Sequence, residues 1–150
     1  MEIEDLISIL QSGNEREISD ISYSLMNVSD NTFLQKLAGS LELITPLSSS
    51  SYWSCHGNKY RVRVSIDRIT TFLEAVRTTG CRCAKYLQLP YFAHSEADKG
   101  MIEIILNEAD PQTRKSKITC QCTACAQYYV AHEFDAGFGR RAQWEKLAKP

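Results

Sequence analysis

Six cysteines stand in this 150-residue chain, and five of them follow residue 80. They fall as Cys81-Arg82-Cys83 and Cys120-Gln121-Cys122-Thr123-Ala124-Cys125. A C-x2-C unit such as Cys122/Cys125 turns two thiolates toward one ion while backbone N–H groups support them. Four thiolates at about 2.3 Å around a tetrahedral Zn²⁺ are the usual completion. Alternate strand residues point the same way, so Cys81 and Cys83 can chelate from a strand end. The spacing therefore predicts a structural zinc site made by Cys81, Cys83, Cys122 and Cys125. The two pairs are 38 residues apart, enough for a long hairpin and wider than the compact spacing of many zinc ribbons. Cys120 is an alternate for Cys122, although it lies in a run that reads as strand. Buried cysteines without a metal are the competing reading. A redox C-x2-C fits less well, because the motif does not open a helix in a βαβ pattern. Cys55-His56 is not read as a catalytic dyad, because such partners are found by meeting in space and not by adjacency in sequence, and it reads as structural.

One arrangement carries a catalytic reading. His94-Ser95-Glu96 is an H-x-E, and Cys122-x-x-Cys125 follows it. The pair resembles the zinc-dependent nucleoside and nucleobase deaminases. The resemblance implies His94, Cys122 and Cys125 as ligands, an activated water in the fourth position, and Glu96 as proton shuttle. The chain departs from that pattern in several places. Gln121 stands where that family has Pro, and Gly100 falls early in the helix expected after Glu96. The residues after Cys125 look like a strand, and Cys81 and Cys83 have no role. His132-Glu133 lacks the second His of a zincin helix, and no P-loop, G-x-G-x-x-G or G-x-S-x-G occurs.

The elements that would position these residues differ along the chain. In the first part Ile3, Leu6, Ile7 and Leu10 recur at helical spacing, and Gly13-Asn14 supplies a stop. Ile18, Ile21 and Leu25 give a second helix. Asp30 is the N-cap of a third, with Leu34, Leu37, Ala38 and Leu41 as its stripe and Pro46 as its end. Tyr60, Val62 and Val64 alternate with Arg61, Arg63 and Ser65 and predict a strand. A helix is predicted over about 67–79, with Gly80 as its C′ residue. Beyond Gly80 the runs Ala84–Leu89, Met101–Leu106, Ile118–Cys122 and Gln127–Glu133 read as short strands. The expected fold class is α+β, with N-terminal helices packed on a small C-terminal antiparallel sheet bearing a zinc-ribbon-like site. The expected organisation is a helical segment over 1–46, a loop or linker over 47–57 and a β-rich zinc module over 58–150. One compact domain overall is the alternative.

Composition narrows the class. Apolar residues make up 43% and charged residues 23%, which excludes a disordered tail, a collagen and a coiled-coil rod. The net charge of −1 hides a split. Residues 1–50 hold two basic residues against eight acidic ones, and residues 51–150 hold fifteen against ten. No run of about 18 apolar residues suggests a membrane span. The acidic start, Met1-Glu2-Ile3-Glu4-Asp5, does not read as a secretory signal. The expected compartment is therefore the cytosol, where cysteines more often bind metal than form disulfides. In the tail, Arg140, Arg141 and Trp144 are of the types favoured in protein interfaces. They also suit nucleic acid, but the acidic first half opposes a phosphate backbone. The bland alternative is that Trp144 closes the core. Glu15, Glu17 and Asp20 are candidate acidic contacts.

Residues from about 80 to 144 carry Gly80-Cys81-x-Cys83, Gly100-Met101-Ile102-Glu103-Ile104, Cys122-x-x-Cys125, Tyr129-x-x-His132 and Trp144. This pattern resembles small bacterial zinc-binding proteins associated with toxin–immunity systems. The resemblance implies a cytosolic, non-enzymatic immunity protein that binds one toxin and blocks it. Zinc would hold the fold, and the partner would be a protein.

Overall fold

A computed structural model describes residues 2–53 and 59–148. Cys55-His56 lies outside the described residues. The chain divides into two compact units, Met1–Ala84 and Lys85–Pro150. The first is helical and the second carries a four-stranded antiparallel sheet, so the α+β class expected from the sequence is the class observed.

In the first unit, α1 (Ile3–Ser12) opens with a reciprocal cap between Glu2 and Asp5. It ends at Gly13, whose φ of 68° is left-handed. A Cβ there would lie 3.0 Å from the Trp53 ring, so glycine serves both the turn and the close approach. In α2 (Glu15–Met26), the Asn14 side chain accepts from the Glu17 amide. In α3 (Asn31–Gly39), Asp30 accepts from the amides of Thr32 and Phe33. A short α4 (Leu41–Ile44) runs into a 3-10 turn at Thr45–Ser48 that contains Pro46. The serine-rich stretch beyond it is anchored rather than loose. Trp53 is buried and its indole N–H donates to the Leu47 carbonyl at 2.7 Å.

The strand expected at Tyr60–Ser65 does not exist. Those residues begin α5 (Tyr60–Thr79), a twenty-residue helix. Its buried stripe Val62, Ile66, Ile69, Leu73 and Val76 steps by four, three, four and three. Tyr60 and Val64, which alternation would place beside Val62, are instead exposed. The β-branched residues give way because packing of this stripe outweighs local preference. Gly80 closes α5 with φ 70°. This helix belongs to the first unit, so the division falls at Ala84/Lys85 and not within 47–57.

In the second unit, the expected strand at Ala84–Leu89 is replaced by a 3-10 turn over Arg82–Leu87. Lys85 and Tyr86 are consecutive and both buried, an arrangement that the alternating faces of a half-exposed strand do not allow. After α6 (Ala93–Asp98) come β1 (Ile102–Asp110), β2 (Lys115–Cys122), β3 (Tyr128–Asp135) and β4 (Arg140–Lys146), paired in sequence order. The register sets Ile118 beside Ala131 and Ala131 beside Trp144, and all three are buried. Tyr86 stacks on Trp144 with ring centroids 4.3 Å apart, and Tyr129 meets both rings edge-on. No described helix is long and apolar enough to cross a membrane.

Candidate metal centre

The four expected ligands come together. The sulfurs of Cys81, Cys83, Cys122 and Cys125 all lie within 4.8 Å of one another. Four sulfurs at tetrahedral corners about 2.3 Å from a zinc ion would be about 3.8 Å apart. Small side-chain adjustments reach that geometry. Three of the four residues are buried and Cys125 is half-buried.

Local structure explains the placement. Cys81 follows the left-handed cap at Gly80, whose N–H donates to the Val76 carbonyl at 2.7 Å. The Gly80 carbonyl accepts from the Gln35 side chain, and the Arg82 amide donates to Asn31 Oδ1. These bonds fix the C-x-C segment from both sides. It is a helix-end and 3-10 segment, not the strand end the sequence suggests.

Cys122 ends β2, and the next residues turn back. The Ala126 amide donates to the Cys122 carbonyl, and the Cys122 amide donates to the Gln127 carbonyl, both at 2.9 Å. Thr123 ties the turn to the start of β1, its hydroxyl donating to the Gly100 carbonyl at 2.9 Å. The turn has one strained point. Ala126 holds φ 58°, a left-handed conformation that costs a residue with a Cβ about 1–2 kcal/mol. Ala126→Gly should therefore raise the unfolding free energy by about 1 kcal/mol, read from urea denaturation of the full chain. An unchanged or lowered midpoint would mean that the alanine costs nothing there.

Cys120 is not a member of the group. It lies fully buried on β2 opposite Tyr129, with Sγ 3.8 Å from the Tyr129 carbonyl oxygen. Burial, and secondarily the neighbouring Cys122, push its thiol up to about 12, so it stays protonated near neutral pH.

The deaminase-like set does not assemble. His94 is outside the four-cysteine group, and its Nε2 lies 3.3 Å from Asn107 Nδ2. Glu96 is fully buried and held by three partners. Lys85 Nζ lies 2.7 Å from one carboxylate oxygen, to which the Tyr86 hydroxyl donates at 3.0 Å. Lys99 Nζ lies 2.9 Å from the other oxygen. Burial raises the Glu96 carboxyl, but the hydrogen bonds and charges of Lys85 and Lys99 outweigh it and hold the group below its ordinary value. Nothing in the sequence marked Lys85 as the buried partner of Glu96, since it reads as one lysine in an unremarkable run.

Trp144 is corrected as a partner contact. It is buried, its ring stacks on Tyr86, and its indole N–H donates to the Tyr91 carbonyl at 2.7 Å. Arg140 is also committed: its guanidinium lies 2.7 Å from the buried Glu133 and over the Phe92 ring. Arg140 and Arg141 are both exposed, and the Arg141 guanidinium reaches the neighbouring Arg140 carbonyl. Glu15 pairs with Arg61 at 3.2 Å on the first unit. No family model matches the chain, and no curated protein or solved structure compared with it matches either.

Proposed function

We propose that this is a non-catalytic binding protein in which Cys81, Cys83, Cys122 and Cys125 hold one structural Zn²⁺. The four-thiol group within 4.8 Å carries the reading. Soft thiolates in a tetrahedral array favour zinc over the hard divalent cations. Four of them also fill the coordination shell, leaving no open position for the water that hydrolytic zinc chemistry needs. Glu96, the proton shuttle of the deaminase reading, is occupied by two ammonium groups and a phenol.

The resemblance to toxin–immunity proteins supplies the partner: a toxin-like protein that this chain binds and inhibits in the cytosol. The surface of the first unit offers residue types suited to that. Tyr23 and Tyr60 are 48% and 64% exposed beside Val64, Arg61 and Arg68. Tyr and Arg are the side chains that most often carry interface energy.

Metal analysis of the full chain and its variants tests the zinc part. Wild type and His94→Ala should each hold about one zinc per chain, while Cys83→Ser and Cys125→Ser should lose most of it. A His94→Ala protein without zinc would restore the deaminase-like site instead. Co-expression with the product of the adjacent upstream reading frame tests the partner. Rescue of growth, weakened by Tyr60→Ala, is expected. Absence of rescue would remove the inhibitor reading and leave the zinc site standing.

A further inference from the structure

We propose that the outer edge of β4 is a self-pairing surface, and that two copies of this chain join through it into one continuous antiparallel sheet of eight strands. The proposal is independent of the metal and of any toxin-like partner.

The strand order β1-β2-β3-β4 leaves two edges, β1 and β4. They differ in the two properties that govern pairing. β1 is interrupted by a register shift between Ile104 and Leu106, and such irregularities protect edges. Its charged side chains are Glu103, Glu108 and Asp110, with no basic residue to oppose them in a second copy. β4 pairs with β3 without a shift over all seven of its residues, and it carries both signs of charge.

Hydrogen-bond phase decides which backbone groups β4 offers. The Leu147 amide donates to the Tyr128 carbonyl, and the Ala136 amide donates to the Gly139 carbonyl. Both bonds obey the β3–β4 register, so they mark the hydrogen-bonded pairs of that ladder. Counting in twos, Arg141, Gln143 and Glu145 bond inward to β3. Arg140, Ala142, Trp144 and Lys146 then turn their N–H and C=O groups outward. Among the described residues, no hydrogen bond engages the outward N–H or C=O of Ala142 or Trp144.

Antiparallel self-pairing has one register that overlaps the whole strand. Its twofold axis passes through Gln143. In that register Ala142 of each copy opposes Trp144 of the other, both with outward backbone groups, so they form the hydrogen-bonded pairs. Arg141 then opposes Glu145 in the closely spaced pairs, twice, on the solvent face of the sheet. Arg141 and Glu145 are both exposed. The one like-charge juxtaposition, Arg140 with Lys146, is relieved because Glu133 already neutralises Arg140 at 2.7 Å. Large meets small where Trp144 faces Ala142. Beside the edge lies a groove of about 430 Å³ lined by Tyr86–Pro90 and Ala142–Glu145. Leu87 there is 54% exposed, and the twofold axis keeps both Leu87 side chains on the same side of the joined sheet.

The charge pattern supplies a test that separates pairing from folding. Sedimentation velocity of the full-length protein should show twice the chain mass, dissociating on dilution. Arg141→Glu sets Glu against Glu, and Glu145→Arg sets Arg against Arg. Each should weaken the dimer by at least about tenfold, with far-ultraviolet circular dichroism unchanged. An equimolar mixture of the two variants should dimerise again, because every pair then joins opposite charges. A wild type that stays monomeric up to about millimolar loading overturns the proposal. So does a dimer that both variants leave intact, or a mixture that stays monomeric while each variant is folded.

Discussion

Chelation of the metal is expected to abolish the near-ultraviolet circular dichroism of the second unit, and restoring Zn²⁺ is expected to return it. The reporting rings are Tyr86, Tyr129 and Trp144, which pack within 4.3–6.1 Å of one another. Their cluster is built on β3, β4 and the 3-10 turn that contains Cys83. The size of the effect follows from magnitudes. A structural zinc site in a small peptide contributes about 10–16 kcal/mol of apparent binding free energy. A whole domain is stable by only about 5–15 kcal/mol. Without the cation the four sulfurs take up protons, and nothing then draws them together. Cys122→Ser and Cys125→Ser should therefore mimic chelation. Cys120→Ser should retain about one zinc per chain, because Cys120 lies outside the group and keeps its proton. A chelated sample, confirmed free of zinc, with a native near-ultraviolet spectrum would refute a structural role.

Removing the charge of Glu96 should be the most damaging single change away from the cysteines. Lys85 and Glu96 are both fully buried, with Nζ and carboxylate 2.7 Å apart. Such a pair adds little against an apolar replacement, yet leaving one member alone costs about 3–5 kcal/mol. Glu96→Gln leaves the Lys85 ammonium buried without its carboxylate counter-charge, beside the faces of Tyr91 and Tyr86 at 4.4 and 5.3 Å. Lys85→Met is milder, because Glu96 keeps Lys99 and the Tyr86 hydroxyl. Urea denaturation should rank the proteins as wild type, Lys85→Met, then Glu96→Gln. The order has a pH signature. The folded state holds the Glu96 carboxyl below its ordinary value of 4.5, so the ionised group contributes stability that is complete above 4.5. It is lost as pH falls through the lowered folded value. The deficit of Glu96→Gln should thus be full near neutral pH and shrink as the solution is made acidic. A deficit that stayed constant on acidification would mean that the carboxylate charge is not what the substitution removes.

Residue types and spacing were enough to find the four-cysteine group. Cys122 and Cys125 are separated by two residues in a turn, a local geometry that sequence encodes directly, and Cys81 and Cys83 were the remaining close pair. The same locality made α1, α2, α3 and the Gly80 cap legible, because capping residues and helical periodicity act within a few positions. The runs that became β1, β2 and β3 were visible for the same reason.

What failed to show was whatever depends on distant neighbours. Six alternating residues from Tyr60 fit a strand as well as a helix. Only the continuous stripe from Val62 to Val76, packed within the first unit, selected the helix. Ala84–Leu89 read as strand until Lys85 and Tyr86 were required inside together, one against Glu96 and the other against Trp144. Arg140, Arg141 and Trp144 looked like a docking tail because their types suit interfaces. Pairing with β3 made the segment a strand, and the pleat then sent Trp144 into the core and Arg141 into solvent. The sequence by itself determined which atoms can bind a soft metal and where helices cap, since both are local chemistry. Tertiary structure alone decided which side chains are buried, paired or exposed, because burial is a property of the neighbours that folding brings from elsewhere in the chain.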